Sequence, residues 1–254
     1  MAIISDDAGV SDASDDDTPA RGQMSLVEHL TELRRRLVIS AIAVAVGAII
    51  CFAFYQFILN FLIGPYQDVT GKNNLQVLDP LEGVATRLKI ATYGGIFVAS
   101  PVVLWQLWRF ITPGLHPKEK RYAIPFVIAS ILLFLFGVFV ALQTFEPALQ
   151  FLTGVGGNDL SPNFTASKYL SFIMLMFVAF GVAFEFPILL VALELAGVLT
   201  SQRLRKWRRP AIVVIVFIAA VITPSQDPYS LFFMSVPMYL FYEGSILVGR
   251  ILKK

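Results

Sequence analysis

Apolar residues fall in long blocks, each closed by a short polar or basic stretch, and the block lengths predict helices that cross a membrane. A hydrocarbon core about 30 Å thick needs roughly 20 residues of helix. The pattern gives spans at about 38–62, 84–110, 123–142, 169–198, 211–222 and 229–248. Gly64-Pro65 is expected to end the first span and Gln143 the third. The fourth is about 45 Å of helix, longer than the bilayer core, so it must tilt or bend, with Pro187 supplying the bend. The fifth, between Pro210 and Thr223-Pro224, offers only about 18 Å of uninterrupted helix. The sixth contains Pro237 and meets Glu243. These two neighbours are expected to be short and to thin the bilayer beside them. The predicted fold is all-α, a polytopic bundle of six transmembrane helices.

Ahead of the first span, Leu26, Leu30, Leu33 and Leu37 recur at helical spacing, and Ser25 with Glu28 fits a capping box. That pattern predicts an amphipathic helix lying on the membrane surface and running into the span. Residues 1–23 carry Asp6, Asp7, Asp12, Asp15, Asp16 and Asp17 among small and polar neighbours, a composition that cannot bury enough apolar surface to fold. They read as a disordered acidic cytoplasmic tail on a membrane domain covering 24–254.

Composition supports the same class. Of 254 residues, 56% are hydrophobic and 15% charged, with a mean hydropathy of +0.70. So few charges cannot cover a soluble globule of this length. The net charge of +2 hides an asymmetry: Arg34, Arg35 and Arg36, then Lys118, Lys120 and Arg121, then Arg203, Arg205, Lys206, Arg208 and Arg209, all fall on one predicted face. Positive loops stay cytoplasmic, which puts both termini inside. Arg87 and Lys89 stand near the outer end of the second span, where long side chains can snorkel. Cys51 is the single cysteine, and His29 and His116 are far apart, so neither a disulfide framework nor a metal site is indicated. No nucleophile with a base and no phosphate loop is visible. The pattern points to no enzyme, no cofactor and no nucleic-acid partner.

The informative residues break the pattern. Glu32 and Glu119 are acids in otherwise cationic cytoplasmic segments. Two such carboxylates could bind guanidinium groups bidentately; alternatively, Glu32 simply pairs with Arg36 four residues on, and Glu119 with its own neighbours. Glu185 lies near the middle of the fourth span, where a carboxylate is costly and must face protein or water. It could be a docking point, a proton-linked site, or a neutral group bonded to backbone freed by Pro187. On the proton-linked reading the chain is a proton-coupled small-solute transporter with Glu185 as its coupling site. Trp105, Trp108 and Phe110 fit membrane-interface anchors. Asp227 fits a cap for the sixth span. Gly94-Gly95 suggests close backbone approach.

Several segments together resemble the TatC family of the twin-arginine protein translocase. They are His29-Leu30-Thr31-Glu32-Leu33-Arg34-Arg35-Arg36-Leu37; the run Ser100-Pro101-Val102-Val103-Leu104-Trp105-Gln106-Leu107-Trp108-Arg109-Phe110-Ile111-Thr112-Pro113-Gly114-Leu115; Phe184-Glu185-Phe186-Pro187; Thr223-Pro224 with Asp227; and Pro237-Met238-Tyr239 with Glu243. The likeness runs in the same order from Met24 to the end. It implies a cupped bundle of six helices in the cytoplasmic membrane, acting as receptor for signal peptides with paired arginines and as core subunit for export of folded proteins. It implies the single-span TatA and TatB as partners, a homo-oligomer within the receptor complex, and drive by the proton motive force. By the same resemblance Glu32 and Glu119 match the acidic recognition positions, and Phe110 and Leu115 match apolar positions of that site. Pro65 matches a proline after the first span, Glu185 a carboxylate on the concave face, and spans five and six, with Asp227, the partner-docking region. In one departure, Leu231 stands where the family often has glutamine.

Overall fold

The computed structural model describes residues 26–72, 74–111, 123–155, 164–225 and 227–251. The acidic tail, Ser25 of the capping box, and Leu115, His116 and Glu119 of the basic turn lie outside the described residues. Those described form helices α1 (Leu26–Ala53), α2 (Tyr55–Thr70), α3 (Glu82–Ile111), α4 (Ala123–Val155), α5 (Ala166–Ala183), α6 (Phe186–Leu195), α7 (Ser201–Lys206), α8 (Arg208–Ile222) and α9 (Pro228–Ile251).

The leucine-spaced segment and the start of the first span form one continuous helix, α1, but the helical run does not stop at Gly64-Pro65. It kinks at Phe54, where the ladder resumes through Ile58 N–H donating to the Phe54 carbonyl at 3.2 Å. Pro65 then sits inside α2, which ends at Gly71 in the left-handed region with φ 66°. One proline removes one donor, and packing can outweigh that. Here Tyr66 is 1% exposed, and the Tyr169 hydroxyl donates to the Leu62 carbonyl at 2.8 Å just ahead of the proline.

α1 lies along α3. Their backbones touch at Gly95, where a Cβ would fall 2.6 Å from the Ala48 nitrogen and 2.7 Å from the Val44 carbonyl oxygen. Close approach is what Gly94-Gly95 led us to expect. α4 continues past Gln143 to Val155, 33 residues in all. Ala141, Phe145, Ala148 and Leu149 keep the helical period and are buried, and the Thr144 hydroxyl is satisfied by the Val140 carbonyl at 2.7 Å. A lone polar pair therefore does not end the helix.

The fourth span is interrupted just ahead of Pro187, where the sequence places its bend. α5 stops at Ala183 and α6 starts at Phe186. Glu185 N–H donates to Val182 three residues back at 3.1 Å, a tightened turn, and Pro187 lies in the first turn of α6, where its missing donor costs nothing. Gly197, with φ 74°, ends this segment earlier than the expected 198.

Among the described residues, five segments are long and apolar enough to cross a membrane: Val27–Ala53, Glu82–Ile111, Ile124–Val155, Ala166–Leu195 and Pro228–Ile251. α8 is the exception at 15 residues, about 22 Å of helix. Its mate is longer than expected: α9 runs 24 residues straight through Pro237. Shortness is thus a property of α8 alone. The core joins α2, α4, α5, α8 and α9 around Phe145, Tyr169, Phe180, Phe184 and Met238, all fully or nearly fully buried. On the outside, Leu132, Leu135, Phe136 and Phe139 of α4 and Val213, Phe217 and Val221 of α8 are exposed. Continuous apolar surface of this kind has lipid as its solvent.

Candidate functional site

α1 and α3 bring their cationic ends together, and there a small polar site forms. Glu32 Oε1 accepts from Arg36 at 2.6 Å. The same guanidinium donates through its other terminal nitrogen to Gln106 Oε1 at 2.9 Å, bridging the two helices. The i,i+4 pairing of Glu32 with Arg36 is the plain alternative raised by the sequence, and it is present. It does not exhaust the carboxylate, because Glu32 Oε2 is buried and accepts no hydrogen bond among the described residues. Arg36 Nε is likewise buried without an acceptor. Beside this pair the His29 ring stacks on Phe110, centroids 4.4 Å apart. The result is a carboxylate oxygen with vacant lone pairs next to an aromatic face, at the basic end of two packed helices. Such a group can take a guanidinium N–H in a charge-assisted bond. A shallow hollow lies along Val27, Glu28, Thr31, Glu32, Arg35 and Arg36.

Two predicted site residues, Glu32 and Phe110, are therefore brought together, while Leu115 and Glu119 lie outside the described residues. Gln106, His29 and Arg36 complete the site. Gln106 went unremarked as a site residue; a glutamine within an apolar helix, four residues before Phe110, was its signal.

Trp108 departs from the interface-anchor expectation. It is 2% exposed, stacks on Phe126 with centroids 5.0 Å apart, and donates its indole N–H to Ser130 Oγ at 2.6 Å. Trp105, at 38% exposure, keeps the outward position.

Glu185 lies elsewhere, in the break between α5 and α6. It is 7% exposed, and its Oε1 has no hydrogen-bond partner among the described residues. A second buried carboxyl, Glu194, was not singled out from the sequence; it is 1% exposed and packs against Ser201 and Gly249, where a Cβ would collide with both. Asp227 caps α9 as expected, its Oδ1 accepting from Ser230 N–H at 2.8 Å, while Oδ2 is buried with no hydrogen-bond partner among the described residues. Arg208 pairs with Glu243, which also accepts from the Tyr239 hydroxyl at 3.1 Å, tying α8 to α9 at their basic ends. At the opposite end Lys89 does not snorkel freely: it donates to Ser167 and Ser171. The Arg87 guanidinium lies over the Phe52 and Tyr55 rings, 5.2 and 4.7 Å from their centroids.

These features define an all-helical, multi-pass integral membrane protein with an acid held at its basic end. The pattern of the family described as Sec-independent protein translocase protein (TatC) matches residues 28–237, and the chain belongs to that family. It is 39% identical over 239 residues to the TatC of Frankia casuarinae, a match covering 89% of this chain and 66% of that longer relative. It is 41% identical over 231 residues to the TatC of Aquifex aeolicus, covering 90% of this chain and 95% of the relative. A crystal structure of the twin-arginine translocase receptor TatC superposes with a TM-score of 0.74 at 40% identity, covering 89% of this chain and all of that one.

Proposed function

We propose that the chain is the receptor subunit of a twin-arginine translocase, binding the signal peptides of folded precursors at the cytoplasmic ends of α1 and α3. Membership of a translocase family makes its role one of transport, with no catalysis indicated, and leaves the solute-transporter alternative without support. The observation carrying the residue-level reading is the buried Oε2 of Glu32, without a hydrogen-bond partner among the described residues, close to the His29–Phe110 stack. An incoming arginine gains a charge-assisted bond there, and its partner arginine is assigned to Glu119, with Leu115 adding apolar contact. Arg36 holds the empty site in register and yields part of its contact when a guanidinium arrives.

In this reading the family's six-span, cupped arrangement applies, with α8 as the short fifth span and the termini in the cytoplasm. The membrane is the cytoplasmic one, and TatA, TatB and further copies of the chain are the partners. α8 and α9, with Asp227, together with Glu185 and Pro65, shape the partner-facing side. The test is photocrosslinking of a paired-arginine peptide from probes placed around Glu32 and Glu119. Strong crosslinks lost on changing the two arginines to lysines are expected. Crosslinking of a stably inserted Glu119→Lys variant at the parent level overturns the assignment.

A further inference from the structure

The last turns of α3 face two ways. Gln106 and Phe110, four residues apart, share the side turned to α1, where they meet Arg36 and His29. Trp108 stands two residues from each, about 200° around the helix, and so faces α4. There its indole N–H donates to the fully buried Ser130 of α4, and its ring packs in one buried cluster with Val127 of α4 and Ile188 and Ala192 of α6. Trp108, held by Ser130, thus links the back of the leader site to the first turns of α6, just past the break at Glu185, through buried side chains.

A helix end is stiff over so few residues. Reorganising Gln106 and Phe110 around a bound leader displaces the indole with them, and buried bonds of this kind are either made or lost because leaving a partner orphaned is costly. At the far end the helical ladder is already irregular: Glu185 N–H donates to the Val182 carbonyl three residues back at 3.1 Å, and Pro187 has no N–H to donate. That break is where α5 and α6 can change their relative angle with few ladder bonds at stake.

We propose that Trp108 and Ser130 are positioning residues that couple occupancy of the leader site to the α5–α6 break at Glu185. The inference rests on the receptor reading above. Its consequence is that binding and response separate: a chain lacking the Ser130 hydroxyl still seats the leader but does not pass the event on.

The experiment uses the full chain in lipid nanodiscs with Trp105→Phe and Trp207→Phe, leaving Trp108 as the single emitter. Titration with a synthetic paired-arginine leader is expected to shift Trp108 emission, and a paired-lysine leader is expected to leave it unmoved. Ser130→Ala is expected to bind the leader within about threefold of the parent while export of a folded reporter falls at least tenfold, with Ser130→Thr restoring export. Should Ser130→Ala fail to insert, Trp108→Phe, which removes the indole donor and keeps an aromatic ring against Phe126, is read by leader binding and export alone. Leader binding with unmoved emission, or export by the donor-deleted chain at the parent rate, overturns the coupling alone. A parent chain that binds no paired-arginine leader overturns the receptor reading and this inference together.

Discussion

His29 of α1 stacks on Phe110 of α3, their planes 24° apart, and so an aromatic floor lies beside the acid that the sequence marks as exceptional. The stack joins the first turns of α1 to the end of α3, two elements far apart in sequence. Replacing the ring should therefore weaken leader binding without unfolding the bundle. Phe110→Ala is expected to raise the Kd for a paired-arginine peptide about tenfold, the scale of one lost aromatic contact. Peptide titration by fluorescence anisotropy measures it, and an unchanged Kd refutes the floor's role.

Glu32→Gln keeps the shape of the side chain and removes its charge. A bond to a charged group is worth roughly 1.5 to 3 kcal/mol, so affinity for the paired-arginine leader should fall between about tenfold and a hundredfold. Thermal stability should change little, because the Arg36 bridge to Gln106 remains. If the substitution lowers stability and leaves the Kd alone, the pair is structural.

Gly95→Ala places a methyl against the backbone of α1, which cannot step aside as a flexible side chain would. Overpacking of this kind costs about 1 to 3 kcal/mol. A lower melting temperature in detergent is expected, along with reduced leader binding, since the crossing sets how α1 and α3 meet. Melting at the parent temperature would mean that the helices part freely.

Asp227→Ala removes the cap of α9 and should cost about 1 kcal/mol of stability, with Asp227→Asn close to the parent. If Asp227→Asn instead blocks partner assembly while melting like the parent, the unpartnered Oδ2 is a docking group and not a structural remnant. Co-purification with the single-span subunits separates the two outcomes.

Much of this was legible in the order of residues. The period of Leu26, Leu30, Leu33 and Leu37 marked a helix continuous with the first span, adjacent glycines marked the α1–α3 contact, and an acid among arginines pointed to Glu32. Proline misled the reading at Pro65, which lies inside α2 because packing outweighed the lost donor, whereas Pro187 marked the irregular turn at Phe184-Glu185 and Pro237 lies inside the last helix as expected. Trp108 misled it as well, because an aromatic beside a predicted interface has the same local signature whether it meets lipid or a serine on the next helix.

The sequence by itself determined the solvent, the helical period and the basic face, because these follow from local hydropathy and charge. Only the tertiary structure decided that Arg36 holds Gln106 as well as Glu32, that one oxygen of Glu32 is left over, and that Trp108 reaches Ser130. Each of those depends on how α1, α3 and α4 cross. Those crossings are fixed by side-chain volumes and a backbone contact at Gly95, quantities summed over residues distant in the chain, which no local window contains.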